Sequence, residues 1–238
     1  MTIMNPLSST FTNRTTAGFE LGHVLRTRGV GRPGIVLGLP RGGVPVAFEI
    51  AQVLGAPLDV MPVRKIALPD NPELAIGAIA GNTIVRESNL SFEVPTHRFA
   101  ALARAQGAEL RRRERIYRAG LPPLVLKGLD VLLVDDGLAT GCTMLAAVRE
   151  ANSLGAARVL VAAPVASDTG HALVRAEADE VIAIRIEPHL SSVGAWYDDF
   201  TQVQDSEVCE LLARSRTADR RMQHESSPPH VRGGDAQR

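Results

Sequence analysis

The pattern that most restricts the fold is a rhythm met three times: a short apolar run, a turn rich in glycine or hydroxyl residues, a helix-like segment, and another apolar run. GIVLGL (34–39) leads through PRGG and a segment near 43–54 to LDVMPV (58–63). VLLV (131–134) leads through DDGLATG and a segment near 141–153 to RVLVAAPV (158–165), which leads through a segment near 169–177 to EVIAIRI (180–186). Unbroken Val/Leu/Ile runs leave no polar face, so strands of this kind alternating with helices make a parallel sheet covered on both sides. The expected fold is α/β, a doubly wound parallel sheet. Ligands in such sheets bind where strands end and helices begin. LPRGG and DDGLATG both stand at such junctions, so they are expected to share one site.

Between the first two units the pattern changes. Residues 74–94, ELAIGAIAGNTIVRESNLSFE, set a Gly-Asn turn between short alternating runs, which reads as a hairpin or small antiparallel excursion. IALPDNPE just before it is expected to be loop. Residues 96–119 place Phe99, Ala103, Gln106, Leu110 and Tyr117 near one helical face, with Glu109/Arg113 and Glu114/Arg118 as favourable pairs four apart. Residues 218–238 are polar with Pro and Gly and are expected to be disordered, and 1–14 to be flexible. One domain, 15–217, remains.

With 26 basic and 26 acidic residues the net charge is zero, so the chain as a whole has no electrostatic footprint for nucleic acid or a membrane surface. RRRER (111–115), interrupted by glutamate, reads as a solvated helix face or a subunit contact. The longest apolar runs, such as VLVAAPVA at 159–166, are too short to cross a bilayer. Cys142 and Cys209 lie far apart without a CxxC pattern, which argues against a zinc site or disulfide framework and suits a reducing compartment. The first residues lack the order of a signal peptide. A soluble cytoplasmic protein acting on a small molecule is expected.

The chemistry concentrates in VLLVDDGLATGCT (131–143), a buried strand ending in two carboxylates. Asp135 and Asp136 repel each other, and buried carboxylates persist only when something pairs with or hydrogen-bonds to them. Asp is also a good helix N-cap, but the residues that follow favour a ligand. Gly137 and Gly141 allow close approach, Thr140 and Thr143 offer hydroxyls, and the amides open a helix whose dipole favours negative charge. Two acids beside an anion cradle suit diol hydroxyls next to a phosphate, with the acids accepting from the hydroxyls or holding Mg²⁺.

That ligand is a phosphorylated ribose, and VLLVDDGLATGCT closely resembles the phosphoribosyl pyrophosphate (PRPP) motif of the type I phosphoribosyltransferases: four apolar residues, two acids, three variable residues, then Thr-Gly-x-Thr. GLPRGG lies where that family places its pyrophosphate loop, and 66–94 where it places a flexible catalytic loop. LPRGGVPVAFEIA and VGAWYDDFTQV also look like a poorly characterised bacterial subgroup. The resemblance covers residues from about 15 to 215 and implies a small hood, part of it at 186–200.

It also implies roles. Asp135 and Asp136 would bind the ribose hydroxyls and influence Mg²⁺, partly through water. Ala139, Thr140, Gly141, Cys142 and Thr143 would cradle the 5′-phosphate. Arg41, Gly42 and Gly43 would hold the pyrophosphate, with a cis peptide expected at Pro40–Arg41, and Arg64 and Lys65 would add positive charge. The implied reaction is displacement of pyrophosphate from PRPP by a nitrogen acceptor, such as a nucleobase in nucleotide salvage, with Asp135, Asp136, Arg41 and Lys65 as the catalytic set. Closure of 66–94 would exclude water. Ala139 stands where enzymes acting on 6-oxopurines usually carry an Asp, which disfavours that reaction. Trp196 and Tyr197 could roof the base by stacking or could anchor the last helix; His189 is given no role and Cys142 reads as filler. The family also contains non-catalytic PRPP or nucleotide sensors, which the motif alone does not separate from enzymes. A homo-oligomer, such as a dimer, is common in it. A phosphosugar hydrolase would need an Asp nucleophile at a different spacing.

Overall fold

The computed structural model describes residues 10–87 and 92–225. In chain order the elements are α1 (Arg14–Thr27), β1 (Ile35–Gly38), α2 (Gly43–Leu54), β2 (Leu58–Val60), β3 (Val63–Leu68), β4 (Asn71–Ala80), β5 (Thr83–Arg86), α3 (Thr96–Tyr117), β6 (Asp130–Val134), α4 (Cys142–Ser153), β7 (Arg158–Ser167), α5 (Asp168–Arg175), β8 (Glu180–Glu187) and α6 (Asp205–Glu225), with a 3-10 turn at Val193–Trp196. The central sheet has the order β2-β1-β6-β7-β8 and is parallel throughout. From β1 the chain steps outward to β2, then returns to lay β6 on the other side of β1. That reversal makes the β1/β6 boundary the topological switch point, where a crevice opens beyond the strand ends.

Alternate strand residues serve opposite cores, which is why the apolar runs are unbroken. Leu37, Val131 and Leu133 join one core with Met144, Leu145 and Val148 of α4. Val36, Leu132 and Val134 join the other with Leu21 and Leu25 of α1, the buried residues of α2, and Val208 and Leu212 of α6. α1 was not anticipated from the sequence. It begins in a capping box: the Asn13 side chain accepts from the Thr16 amide at 2.9 Å and the Thr16 hydroxyl accepts from the Asn13 amide at 3.1 Å.

β3, β4 and β5 form a separate antiparallel sheet. Its own small core contains Ile66, Ile76, Ile79, Phe99 and Leu110, so α3 packs on it. IALPDNPE is therefore not a loop: β3 runs to Leu68, β4 starts at Asn71, and Pro69 and Asp70 alone make the turn, where no ladder amide is required. On α3 the Glu109–Arg113 pair forms at 3.0 Å, whereas Arg118 turns inward to Asp59 at 3.0 Å.

Both expected chain ends need correction. Phe11 is buried and its amide donates to the Trp196 carbonyl at 2.8 Å, so 10–14 are anchored. α6 continues to Glu225, past the boundary expected at 217, because the residues following 217 are mostly good helix formers. Residues 1–9 of the lead-in and 226–238 of the tail lie outside the described residues, as does 88–91 within the 66–94 excursion. Among the described residues no helix is long and apolar enough to cross a membrane.

Candidate functional site

β1 and β6 are in register, Gly38 opposite Val134, so the two unusual turns leave the sheet side by side. The Leu39 amide donates to the Val134 carbonyl at 2.8 Å and ties them together. The Pro40–Arg41 peptide is cis, at the bond where the family resemblance places one. The two glycines after it are required by close approach. A Cβ on Gly42 would lie 2.0 Å from Oδ2 of Asp136, and one on Gly43 would lie 2.5 Å from the Val134 carbonyl and 2.8 Å from Cα of Asp135. Because the obstacle at Gly43 is backbone, Gly43→Ala is expected to lower stability by about 1–3 kcal/mol, the usual cost of overpacking, in a urea titration.

The second turn is held from below by β7. The Leu138 amide donates to the Val165 carbonyl at 2.9 Å and the Ser167 amide to the Leu138 carbonyl at 2.8 Å. The Ser167 hydroxyl donates to the Ala139 carbonyl and accepts from the Gly170 amide at 2.8 Å. Gly141, with φ +79°, sits in the left-handed region and turns the chain into α4. Ala139 and Thr140 stay exposed, and the Thr140 hydroxyl accepts from the Cys142 amide at 3.4 Å. Burial, reinforced by the nearby Glu87 carboxylate, pushes the Cys142 thiol up to about 12, which makes it an unreactive filler.

The two acids are not equivalent. Oδ2 of Asp136 accepts from Nε of Arg14 at 2.7 Å, with side-chain exposures of 15% and 11%. Arg14 also donates to the Thr201 carbonyl at 2.9 Å and lies 3.8 Å from the centre of the Phe200 ring. Asp135 uses Oδ1 to accept from the Asp136 amide at 2.9 Å, and its carboxylate borders a cavity. Protein encloses Asp135 on most sides while part of its surface stays open to that cavity. Burial first, and the neighbouring Asp136 second, raise its pKa well above the ordinary carboxylate value.

Two cavities flank the turns, of about 610 and 380 Å³. The larger is floored by residues 137–143 and walled by Ser167, Gly77 of β4 and Pro188–Leu190. The smaller brings together Asp135, Thr143, Arg64, Lys65, Gln106 and Arg113. Lys65 and Thr143 border both. Arg64 donates from Nε to Oε1 of Gln106 at 3.1 Å; burial, and then the Arg113 cation, lower its pKa. Nη1 of Arg41 lies 3.9 Å from Asp205 of α6.

The structure thus gathers Asp135, Arg64, Lys65 and 139–143 around one crevice, with Gly42 and Gly43 packed behind the acids. Trp196 and Tyr197 stand apart from it, and neither is among the residues lining these two cavities. Tyr197 is buried with Phe11, and its hydroxyl donates to the Asp136 carbonyl at 2.7 Å. It braces the acid turn, and a stacking role over a base is corrected on that ground. His189, given no role from the sequence, borders the larger cavity. Arg14, Gln106 and Arg113 were not anticipated as site residues. Arg14 follows a capping residue, the one local signal of its placement; nothing near Gln106 or Arg113 marks them.

Among the described residues no three His, Cys, Asp or Glu side chains cluster as a metal cage. Among the described residues Asp135 is the one carboxylate bordering the smaller cavity, which fits Mg²⁺ as a cation that keeps several waters and takes one or two carboxylates plus substrate phosphate oxygens.

Residues 24–195 match the profile of the family described as phosphoribosyl transferase domain. A Mycobacterium tuberculosis H37Rv protein, named provisionally as a phosphoribosyl transferase, is 43% identical over 209 residues, which is 86% of this chain and 47% of that protein. The counterpart in strain CDC 1551 matches equally. The chain therefore spans about half the length of the curated relatives it matches. A crystal structure of a Thermus thermophilus protein is 41% identical, covers 86% of this chain and 98% of that one, and superposes with a TM-score of 0.71.

Proposed function

Because the chain belongs to the phosphoribosyl transferase domain family, we propose that it transfers the 5-phosphoribosyl group of PRPP to a nitrogen acceptor and releases pyrophosphate. One observation carries this reading. Asp135, the last threonine of the phosphate loop, Arg64 and Lys65 border the same cavity, so acid, anion cradle and cations are close enough to serve one ligand.

In this reading Ala139 to Thr143 hold the 5′-phosphate through loop amides and hydroxyls at the start of α4. Asp135 accepts from the ribose hydroxyls, while Asp136, already bonded to Arg14, keeps the turn in place. Asp135 would be the protein carboxylate that holds Mg²⁺, directly or through water, and the ion would supply positive charge against the departing pyrophosphate. Arg64 and Lys65 stabilise the charge that develops on the leaving group, and Arg41 follows Pro40, which borders the same cavity, with its guanidinium 3.9 Å from Asp205. The C1–O bond breaks with its electron pair leaving on pyrophosphate, and the acceptor nitrogen supplies the pair for the new C1–N bond. The protein's main contribution is to position the reactants.

The acceptor is a nucleobase in this account, lying in the larger cavity beside Pro188–Leu190 in place of the Trp196/Tyr197 pair. Ala139 in the loop argues for a base other than a 6-oxopurine. The same reading makes the protein a cytoplasmic enzyme of nucleotide salvage, acting on small molecules as a homo-oligomer.

Calorimetric titration with PRPP and Mg²⁺ tests the ligand directly. Saturable binding to one site per chain is expected, and no heat of binding would remove the basis of the proposal. Thr140→Val is expected to weaken that binding by about 1–3 kcal/mol, the cost of leaving a buried phosphate oxygen without its donor.

A further inference from the structure

We propose that Arg113 belongs to the pyrophosphate-binding cations of this site, delivered by α3, and that Glu109 is the positioning residue that aims it; the proposal rests on the transferase reading and extends it. RRRER reads in the sequence as a solvated face, yet the run is divided. Arg111, Arg112 and Arg115 are exposed, whereas the Arg113 side chain is 18% exposed and borders the smaller cavity.

Helical spacing explains the division. Gln106, Arg113 and Tyr117 are separated by seven and four residues, which puts them on one side of α3. Each meets the site or its supports. Gln106 accepts from Arg64, Arg113 borders the cavity with Arg64 and Lys65, and the Tyr117 hydroxyl donates at 2.6 Å to Asp205, which also lies near Arg41. Glu109 holds Arg113 through Nε at 3.0 Å, so the terminal guanidinium nitrogens are outside that bond. Hydrogen bonds from Arg112 and Arg113 keep the Glu109 carboxyl down at about 2, so the support is ionised throughout the neutral range.

The reason for an anion is electrostatic. Arg64, Lys65 and Arg113 converge on a cavity to which the described residues contribute one carboxylate, Asp135. Arg113 and Arg64 repel each other there, which adds to burial in lowering the Arg64 pKa, and a ligand carrying several negative charges offsets that repulsion. A guanidinium also presents a planar fork that matches two phosphate oxygens, which an ammonium does not. Arg113 comes from α3, which packs on the antiparallel sheet, and it borders the smaller cavity but not the larger one floored by residues 137–143, so its contact is expected at the pyrophosphate end of PRPP rather than at the 5′-phosphate.

The test compares inorganic pyrophosphate, ribose 5-phosphate and PRPP, each with Mg²⁺, in calorimetric titrations of wild type, Arg113→Gln, Arg113→Lys, Glu109→Gln and Arg115→Gln. Arg113→Gln is expected to weaken pyrophosphate and PRPP by about tenfold or more, the scale of one charge-assisted contact, while ribose 5-phosphate binding and the thermal midpoint stay near wild type. Arg113→Lys should recover part of the loss, Glu109→Gln should show a smaller loss with the same selectivity, and Arg115→Gln, at an exposed arginine of the same run, should match wild type. Unchanged pyrophosphate affinity in Arg113→Gln, or an equal loss for all three ligands, would overturn the proposal. Wild-type protein that binds ribose 5-phosphate and PRPP but not pyrophosphate would overturn it while leaving the transferase reading standing. Wild-type protein that binds none of the three would overturn both.

Discussion

Asp135→Asn is expected to remove measurable PRPP binding while making the ligand-free protein more stable at neutral pH. The binding loss follows from two hydroxyl contacts to an ionised acceptor, each worth about 1.5–3 kcal/mol, or roughly two to four powers of ten in affinity together. The stability gain follows from burial. The folded-state pKa of Asp135 is raised above its ordinary value of 3.8, so the folded protein binds the proton more tightly than the unfolded chain. Below 3.8 both states are protonated and the acid costs nothing. As pH rises from there toward the raised value, the unfolded chain ionises first and wild-type stability falls; asparagine has no such term. The difference in thermal midpoint between variant and wild type should therefore open with rising pH and close in acid. PRPP needs the ionised form, so wild-type affinity should increase across the same window. Equal midpoints at all pH values, or wild-type PRPP affinity in the variant, would show that Asp135 is neither buried nor a ligand group as described.

Arg14→Leu is expected to have the opposite effect on stability. Arg14 and Asp136 form a mostly buried pair, and removing one member of such a pair costs about 3–5 kcal/mol because the other is left as an uncompensated buried charge. Asp136→Asn should cost less, since Arg14 keeps the Thr201 carbonyl and its place over Phe200. Combining the two changes should recover part of the Arg14→Leu loss, as expected for partners in direct contact. PRPP affinity should fall in Arg14→Leu as well, because the freed Asp136 adjoins both Asp135 and Gly42. Urea denaturation of the two single variants and the double variant measures the stability terms, and PRPP titration of Arg14→Leu the affinity. Strict additivity would mean that the pair contributes nothing beyond its separate members. Arg14, Tyr197 and Phe200 all lie outside residues 24–195, so this brace is supplied from beyond the matched family segment.

Much of the central sheet could be read from the sequence because its strands are buried on both faces, and an unbroken apolar run is a local signal. The two turns were legible for a related reason: carboxylates and paired glycines at strand ends are residues that a plain turn does not require. The alternation of β4 and β5 was also local, whereas IALPDNPE misled because proline and aspartate were taken to mark a long loop when they fill a two-residue turn. α1 was missed since its stability comes from packing on α2, a contact that no pattern within fourteen residues announces. The Arg14–Asp136 pair spans 122 positions and the Arg64–Gln106 bond 42, so neither is inferable from spacing. RRRER was read as uniform because composition does not distinguish which of four arginines turns inward. Tyr197 was singled out correctly as unusual, but its use depended on Phe11 and on the Asp136 carbonyl, both set by tertiary structure.

The most direct measurement is pyrophosphate release from PRPP with Mg²⁺, followed across a panel of nitrogen acceptors including adenine, guanine, hypoxanthine, xanthine, uracil, orotate and simple amines, with Asp135→Asn as the control. Release that requires one acceptor and disappears in the variant is the predicted result. PRPP binding without acceptor-dependent release anywhere in the panel would contradict a transferase and point to a protein that senses PRPP.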